Sequence, residues 1–229
     1  MIDPQFQMNS NSQNVSNDNR NYDYSSGYSE NRLEYTIIKD LIEPRSKVID
    51  LGCGNGALLS LLKSEKQINE TGIEISDSGL AFCKNKKLNV FKHTIDSVLP
   101  FEDNSFDYSI CNVTIQMVMY PEVLLSEMKR ISKYQILSFP NFAYYKNRLD
   151  LLLKGRMPKP MLFDYKWYNT GHIHQFSFND LFDLLTEIGA LKVKEIRFAK
   201  TDNAAKNFLI QTFPNLFMPI PILSLEKIL

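Results

Sequence analysis

The residues best suited to chemistry gather in the stretch VIDLGCGNG, Val48 to Gly56, where Gly52, Gly54 and Gly56 alternate directly behind an apolar run that carries Asp50. The chain has only 9 glycines in 229 residues, so three at alternate positions need a reason. Glycine accepts positive φ and has no Cβ to hold a ligand away from the backbone, and a helix that starts behind such a turn offers unpaired N–H groups. The turn therefore reads as a backbone cradle. A dinucleotide pyrophosphate would want GxGxxG; here the spacing is GxGxG, and an acid at the strand end suits an amino group better than a phosphate. The next apolar run ends in Glu74, eighteen residues past Gly56, about where a carboxylate should meet a ribose diol. A tight turn that only packs a helix on a strand uses glycines in the same way, and Glu74 at the matching distance favours the cradle.

A second group lies far along the chain. His172 and His174 in HIH, with Tyr168 in KWY, are candidate general bases, since imidazole accepts a proton at neutral pH. The competing reading is a histidine that satisfies backbone where the next helix starts. Tyr144, Tyr145 and Trp167 read more readily as packing than as a substrate cage, and Asn112 and Gln116 either face the reacting group or close a turn.

Composition limits what these groups can serve. Lys plus Arg and Asp plus Glu balance at 26 each, so no positive field gathers nucleic acid or anionic lipid. Cys53, Cys83 and Cys111 show no CxxC spacing and come with three histidines, which argues against a disulfide framework or a metal site and for reduced thiols in cytoplasm. Residues 1–30, rich in Asn, Ser, Gln and Asp, read as disordered, with no basic and apolar pattern of a secretory signal. The apolar stretch FLIQTFPNLFMPIPI is broken by Gln211, Asn215 and prolines, so it reads as core cover or a protein interface rather than a membrane span.

The elements that must hold these residues follow from periodicity. ENRLEYTIIKDLI is an amphipathic helix before Pro44; SKVIDLG, ETGIEIS, LNVFKHTI, FDYSICNV and YQILSF are strands; ALLSLLKSEK, DSGLAFCKNKK, PEVLLSEMKRIS and FSFNDLFDLLTEIG are helices. Short apolar strands alternating with helices predict an α/β domain over residues 31–229 with a doubly wound, mostly parallel sheet, and the alternation in LKVKEIRFAK and ILSLEKIL predicts a closing antiparallel pair. NRLDLLLKGRMPKPMLF, within an insertion at about residues 142–172, is a basic, Leu-rich stretch that lids the site or faces a partner.

Taken in order, VIDLGCGNG, GIEIS and LPFEDNSFDYSICNV resemble the successive motifs of class I S-adenosylmethionine-dependent methyltransferases, from about Leu33 to Leu191. The resemblance implies a seven-stranded Rossmann-like sheet and S-adenosylmethionine as cofactor, with S-adenosylhomocysteine as product. It further implies that Gly52, Cys53, Gly54, Asn55 and Gly56 line the methionine part, that Asp50 helps to hold its amino group, and that Glu74 binds the ribose. Ile75 would flank the adenine, Ile95 and Asp96, with Thr94 at the other register, would approach its amino group, and Asn112 would complete the cofactor set. A nicotinamide-dependent oxidoreductase is disfavoured by GxGxG. More narrowly, SFPNFAYYKNRLDLLLKGRMPKP and WYNTGHIHQFSFNDL are similar to the corresponding stretches of the MetW family of methionine biosynthesis. That resemblance implies a partner or activator role for homoserine O-acyltransferase; the alternative is a methyltransferase acting on a small-molecule acceptor.

Overall fold

A computed structural model describes residues 32–159, Trp167 and residues 170–228; the N-terminal stretch expected to be disordered and Tyr168 lie outside the described residues. Helix α1 (Leu33–Leu41) precedes strand β1 (Lys47–Leu51), and α2 (Ala57–Lys66), β2 (Asn69–Glu74), α3 (Asp77–Asn85) and β3 (Val90–Lys92) follow. Then come β4 (Phe106–Asn112), a single 3-10 turn (Ile115–Met117), α4 (Pro121–Ile131) and β5 (Ser132–Ser138). The chain ends with α5 (Tyr145–Lys154), α6 (Phe178–Ile188), β6 (Leu191–Arg197), α7 (Ala204–Thr212), α8 (Pro214–Phe217) and β7 (Ile222–Lys227).

The seven strands form one sheet in the order β3-β2-β1-β4-β5-β7-β6. Strands β1 to β5 pair in parallel, and β7 runs antiparallel between β5 and β6, with Ile136 opposite Ser224. This is the doubly wound, mostly parallel sheet with an antiparallel C-terminal pair that the alternating pattern predicts. Central strands are covered on both faces, which is why VIDL and ILS are apolar runs rather than alternations. One cluster buries Ile49, Leu51, Ile73, Leu124, Met128, Leu137 and Phe139 under α4 and α6; the other buries Val48, Leu58, Leu59, Leu62, Ile110 and Ile136 under α1 and α2.

Strand order reverses between β1 and β4, so the loops leaving the carboxyl ends of these two strands diverge to opposite sides and leave a crevice. The third strand is shorter than LNVFKHTI predicts: only Val90–Lys92 pairs with β2, and Thr94, Ile95 and Asp96 belong to the connection behind it. The apolar stretch from Phe208 holds α7 and α8. Its Ile210 and Met218 enter the core while Phe208 and Phe213 stay exposed. Asn203 starts α7 by accepting the Lys206 N–H on its side chain, the role for which a short amide suits an N-cap. Asn141 of SFPN ties this stretch down. Its fully buried amide donates to the carbonyls of Asn215 and Met218 at 3.1 and 2.9 Å and accepts from the N–H groups of Ala143 and Phe178. Among the described residues no helix is long and apolar enough to cross a membrane.

Candidate functional site

The turn after β1 takes the shape that its glycines permit. Gly52, Gly54 and Gly56 have φ of 82°, 57° and 72°, in the left-handed region. At Gly52 there is no room for anything larger, because a Cβ would stand 2.6 Å from Thr114 Cγ2, on the loop leaving β4. The two loops therefore come close together at this position. The Gly52 and Cys53 N–H groups donate to the Ile73 carbonyl of β2, and the turn closes when the Gly56 N–H donates to the Cys53 carbonyl at 2.9 Å. Asn55 accepts the Ala57 N–H on its side chain at 3.1 Å and so helps to start α2. The Cys53 thiol is buried and points down toward β2, where a Cβ on Gly72 would lie 2.8 Å from its sulfur. Only the backbone of Cys53 faces the turn.

Glu74, at the end of β2, reaches under the same turn. Its Oε2 accepts the Gly54 N–H at 2.7 Å, and its Oε1 accepts the N–H groups of Ile75 and Ser76 at 3.0 and 2.8 Å. A carboxylate can do this because both oxygens are acceptors. The Ser76 hydroxyl then caps α3 by accepting the Gly79 N–H. Glu74 thus fixes the turn, a structural duty that its spacing alone does not reveal.

Asp50 lies deeper. It is 2% exposed and its Oδ1 has no hydrogen-bond partner among the described residues. Burial is the larger cause, and the Glu74 charge the second, of a pKa pushed up from 3.8 to about 7. An orphaned acceptor of this kind beside a glycine cradle fits a ligand that brings a cation. Tyr35 of α1, which sequence reasoning passed over, closes the same region. Its phenol is held above the ordinary range chiefly by burial, against the nearby Arg32 and with a contribution from Asp50. The signal for it was available in the sequence, since Tyr35, Ile38 and Ile42 follow the buried face of the helix.

The remaining expected residues are placed differently from one another. Ile75 is 39% exposed directly behind β2, an open apolar side chain at the crevice. Ile95 is buried in the core beneath it. Asp96 and His174 converge on one loop: Asp96 Oδ2 accepts the Met119 N–H at 2.8 Å, and His174 Nε2 lies 3.3 Å from the Met119 carbonyl. The His174 backbone N–H donates to the Gln116 carbonyl, while Gln116 is buried with its Nε2 donating to the Val113 carbonyl and its Oε1 without a partner among the described residues. Asn112 is held differently, accepting the Ser138 hydroxyl at 2.6 Å across β4 and β5. Between Asn112 and Thr114, Val113 takes a φ of 52°, unusual for a β-branched residue and a mark of a loop forced into shape at the crevice. His172 is anchored through its backbone N–H to Thr170 Oγ1. Tyr144 and Tyr145 are packing residues, their rings 4.7 Å apart and Tyr145 5.7 Å from Phe217 of α8. The structure therefore brings Asp50, the glycines and Glu74 together at the ends of β1 and β2, and Asp96, Gln116 and His174 together around the loop that follows β4.

Comparison with known proteins agrees with this geometry. The profile of the methionine biosynthesis protein MetW matches residues 32–225, extending past the region in which the sequence motifs are legible. The bifunctional methionine biosynthesis protein MetXA/MetW of Rhodopirellula baltica is 34% identical over 169 residues, 69% of this chain and 27% of that protein. The demethylmenaquinone methyltransferase of Staphylococcus aureus is 31% identical over 135 residues, 53% of this chain and 56% of that protein. The chain thus spans between a quarter and three fifths of the length of these relatives. Among solved structures, an S-adenosylmethionine-dependent methyltransferase of Mesorhizobium loti superposes with a TM-score of 0.61 at 15% identity, covering 86% of this chain and 99% of that one. The geranyl diphosphate C-methyltransferase of Streptomyces coelicolor, solved with S-adenosylhomocysteine, gives 0.60 at 12% identity, covering 85% and 78%. With a glycine cradle at the strand reversal, an antiparallel β7 and a profile match over nearly all of the described residues, the chain belongs to the MetW family of methionine biosynthesis proteins and has the methyltransferase fold.

Proposed function

We propose that this protein binds S-adenosylmethionine in the β1–β4 crevice and acts as a partner of homoserine O-acyltransferase in methionine biosynthesis. The observation that carries the cofactor half is the buried, unpartnered Asp50 Oδ1 beside the glycine turn. A ligand ammonium supplies the missing partner and brings the positive charge that a buried carboxylate lacks. Gly52, Cys53, Gly54, Asn55 and Gly56 pass their backbone close to the methionine moiety, Glu74 receives the ribose hydroxyls, and Ile75 covers one face of the adenine. Ile95, Asp96 and Asn112 complete the surroundings. When bound, the cofactor supplies a sulfonium methyl group open to in-line displacement, which leaves S-adenosylhomocysteine. The partner half is supported by the relative in which MetXA and MetW are one bifunctional protein, since fusion keeps two components at high effective concentration.

A second reading, methyl transfer to a small-molecule acceptor, is favoured by His174. A ring that donates through Nε2 to the Met119 carbonyl keeps its lone pair on Nδ1, ready to take a proton from an acceptor; His172 and Tyr168 are the other candidates for that task. Calorimetric titration with S-adenosylmethionine and S-adenosylhomocysteine, repeated with purified homoserine O-acyltransferase while its acyl transfer is assayed, separates the readings. Binding with a gain in acyl transfer supports the partner role. Binding with no gain favours the methyltransferase, and absence of binding refutes both.

A further inference from the structure

Helix α5 is built the wrong way round for a helix that serves only its own domain. Leu149, Leu152 and Leu153 stand at i, i+3 and i+4, one apolar stripe on the helix surface. Such a stripe ordinarily faces the core. Here the residue that enters the body is Asn147, 1% exposed, whose amide donates to the Phe142 carbonyl. Leu149 stands two positions after Asn147, about 200° around a helix of 3.6 residues per turn, so the leucine stripe points almost directly away from the protein. The exposures agree: Leu149 is 45%, Leu152 79% and Leu153 74% exposed, and Leu151, on the inner side, is still 57% exposed. The second half of α5 therefore stands clear of the domain.

The surface continues past the helix. Gly155 ends α5 in the left-handed conformation, and Met157, Lys159 and the exposed Trp167 line a shallow cleft with Arg156 and Gln175. Its charge is one-sided: Lys146, Arg148, Lys154, Arg156 and Lys159 face a single acid, Asp150, already paired with Lys154. A Leu stripe with Met, Trp and Arg at its margin has the composition of a protein-binding surface, and the i, i+3, i+4 anchors suit insertion into an apolar groove. A basic rim selects an acidic rim on the partner.

We propose that α5 and the adjoining 156–159 stretch form the docking surface for homoserine O-acyltransferase, inserting Leu149, Leu152 and Leu153 into an apolar groove with an acidic rim. This rests on the partner role proposed above, and the relative that joins MetXA to MetW is what points to this occupant rather than to another protein. The surface shares no residue with the glycine cradle, so cofactor binding and docking are separable.

The test uses the full chain and the purified acyltransferase of the same organism. Affinity is measured by calorimetry for the unaltered protein, for Leu152→Asp and Leu153→Asp combined, for Arg148→Glu, and for Ile228→Asp as an exposed apolar control just past the end of β7. S-adenosylmethionine binding is measured for each to show that the fold is intact. The double variant should bind the acyltransferase at least ~100-fold more weakly, the loss expected for removed central anchors, with Arg148→Glu weakened about tenfold and the control unchanged. Unchanged acyltransferase affinity in the double variant overturns the surface while leaving the partnership standing. No complex with the unaltered protein overturns both. Sedimentation of the unaltered chain alone, and flotation with vesicles of equal phosphatidylcholine and phosphatidylglycerol, complete the test: self-association or vesicle binding through the leucines, without acyltransferase binding, overturns the proposal.

Discussion

Asp50→Asn removes one charge from a site in which no cation among the described residues offsets it. A carboxyl whose pKa is higher in the fold than in the unfolded chain keeps a proton that the unfolded chain has already lost. Its contribution to stability is therefore full below about pH 4 and is lost as pH rises through about 7. The distance from 3.8 to about 7 converts to about 4 kcal/mol against the ligand-free fold at about pH 8. Asparagine is close in shape and has no charge, so it escapes this penalty, but its NH2 must sit where no acceptor is provided, which costs about 1–3 kcal/mol. The net expectation is a variant about 1–3 kcal/mol more stable than the natural chain at about pH 8, with the advantage gone by about pH 5, where the penalty that remains from ionisation of the unfolded chain no longer exceeds the cost of the unpartnered amide. Urea unfolding of both proteins without ligand, from acid to mildly basic pH, measures this directly. Under the cofactor proposal the same substitution should weaken S-adenosylmethionine binding roughly 10- to 100-fold, the worth of a charge-assisted hydrogen bond. A stability difference that stays constant across pH would refute the electrostatic reasoning, and unchanged affinity would refute the placement of the ammonium.

The other predictions concern the walls of the crevice and one structural ion pair. Glu74→Gln leaves one acceptor oxygen where two are used, so an amide NH2 must face a backbone N–H; the fold should lose about 1–3 kcal/mol in urea unfolding, and cofactor affinity should fall as well. Because Glu74 is the second cause of the raised Asp50 pKa, the same variant should also show a shallower decline of stability toward pH 7. Gly52→Ala should cost about 1–3 kcal/mol from positive φ and the clash with Thr114. Thr114→Ser removes the methyl that is struck, so the double variant should recover part of that loss; strict additivity would show that the clash is irrelevant. Arg130 donates to Glu127, Asp103 and the carbonyls of Leu99 and Phe101, and it holds the Glu127 carboxyl below its ordinary range. Arg130→Ala should destabilise by roughly 3 kcal/mol at neutral pH, and the difference from the natural chain should shrink as pH falls below about 4.5, where the contribution of Glu127 is lost in any case.

Much of the site was legible because its demands are local. A turn that needs left-handed φ at alternate positions needs glycine there, and a strand buried on both faces needs a continuous apolar run, so VIDLGCGNG and GIEIS declare both the turn and the strands beside it. Asp50 and Glu74 could be placed near strand ends, as β1 and β2 bear out. What Glu74 also does, holding Gly54 twenty residues away, could not. Asp96 was expected at the end of a longer third strand, yet β3 stops at Lys92 and Asp96 instead fastens Met119, a partner with no local signature. The same holds for Asn141, whose side chain spans more than seventy residues to bind the turns around α8.

Helix α5 draws the boundary most clearly. The spacing of Leu149, Leu152 and Leu153 and the basic residues among them are properties of the sequence, and they are enough to establish an amphipathic segment within the insertion. Periodicity defines a face only relative to the helix's own axis. Which way that face points depends on where the rest of the chain lies, and it is the seating of Asn147 beside Phe142 that turns the leucines outward. Local conformational preference, carried by residue type, settled the turn and the strands; long-range packing, carried by contacts between distant residues, settled which acid holds which loop and which apolar face is left exposed.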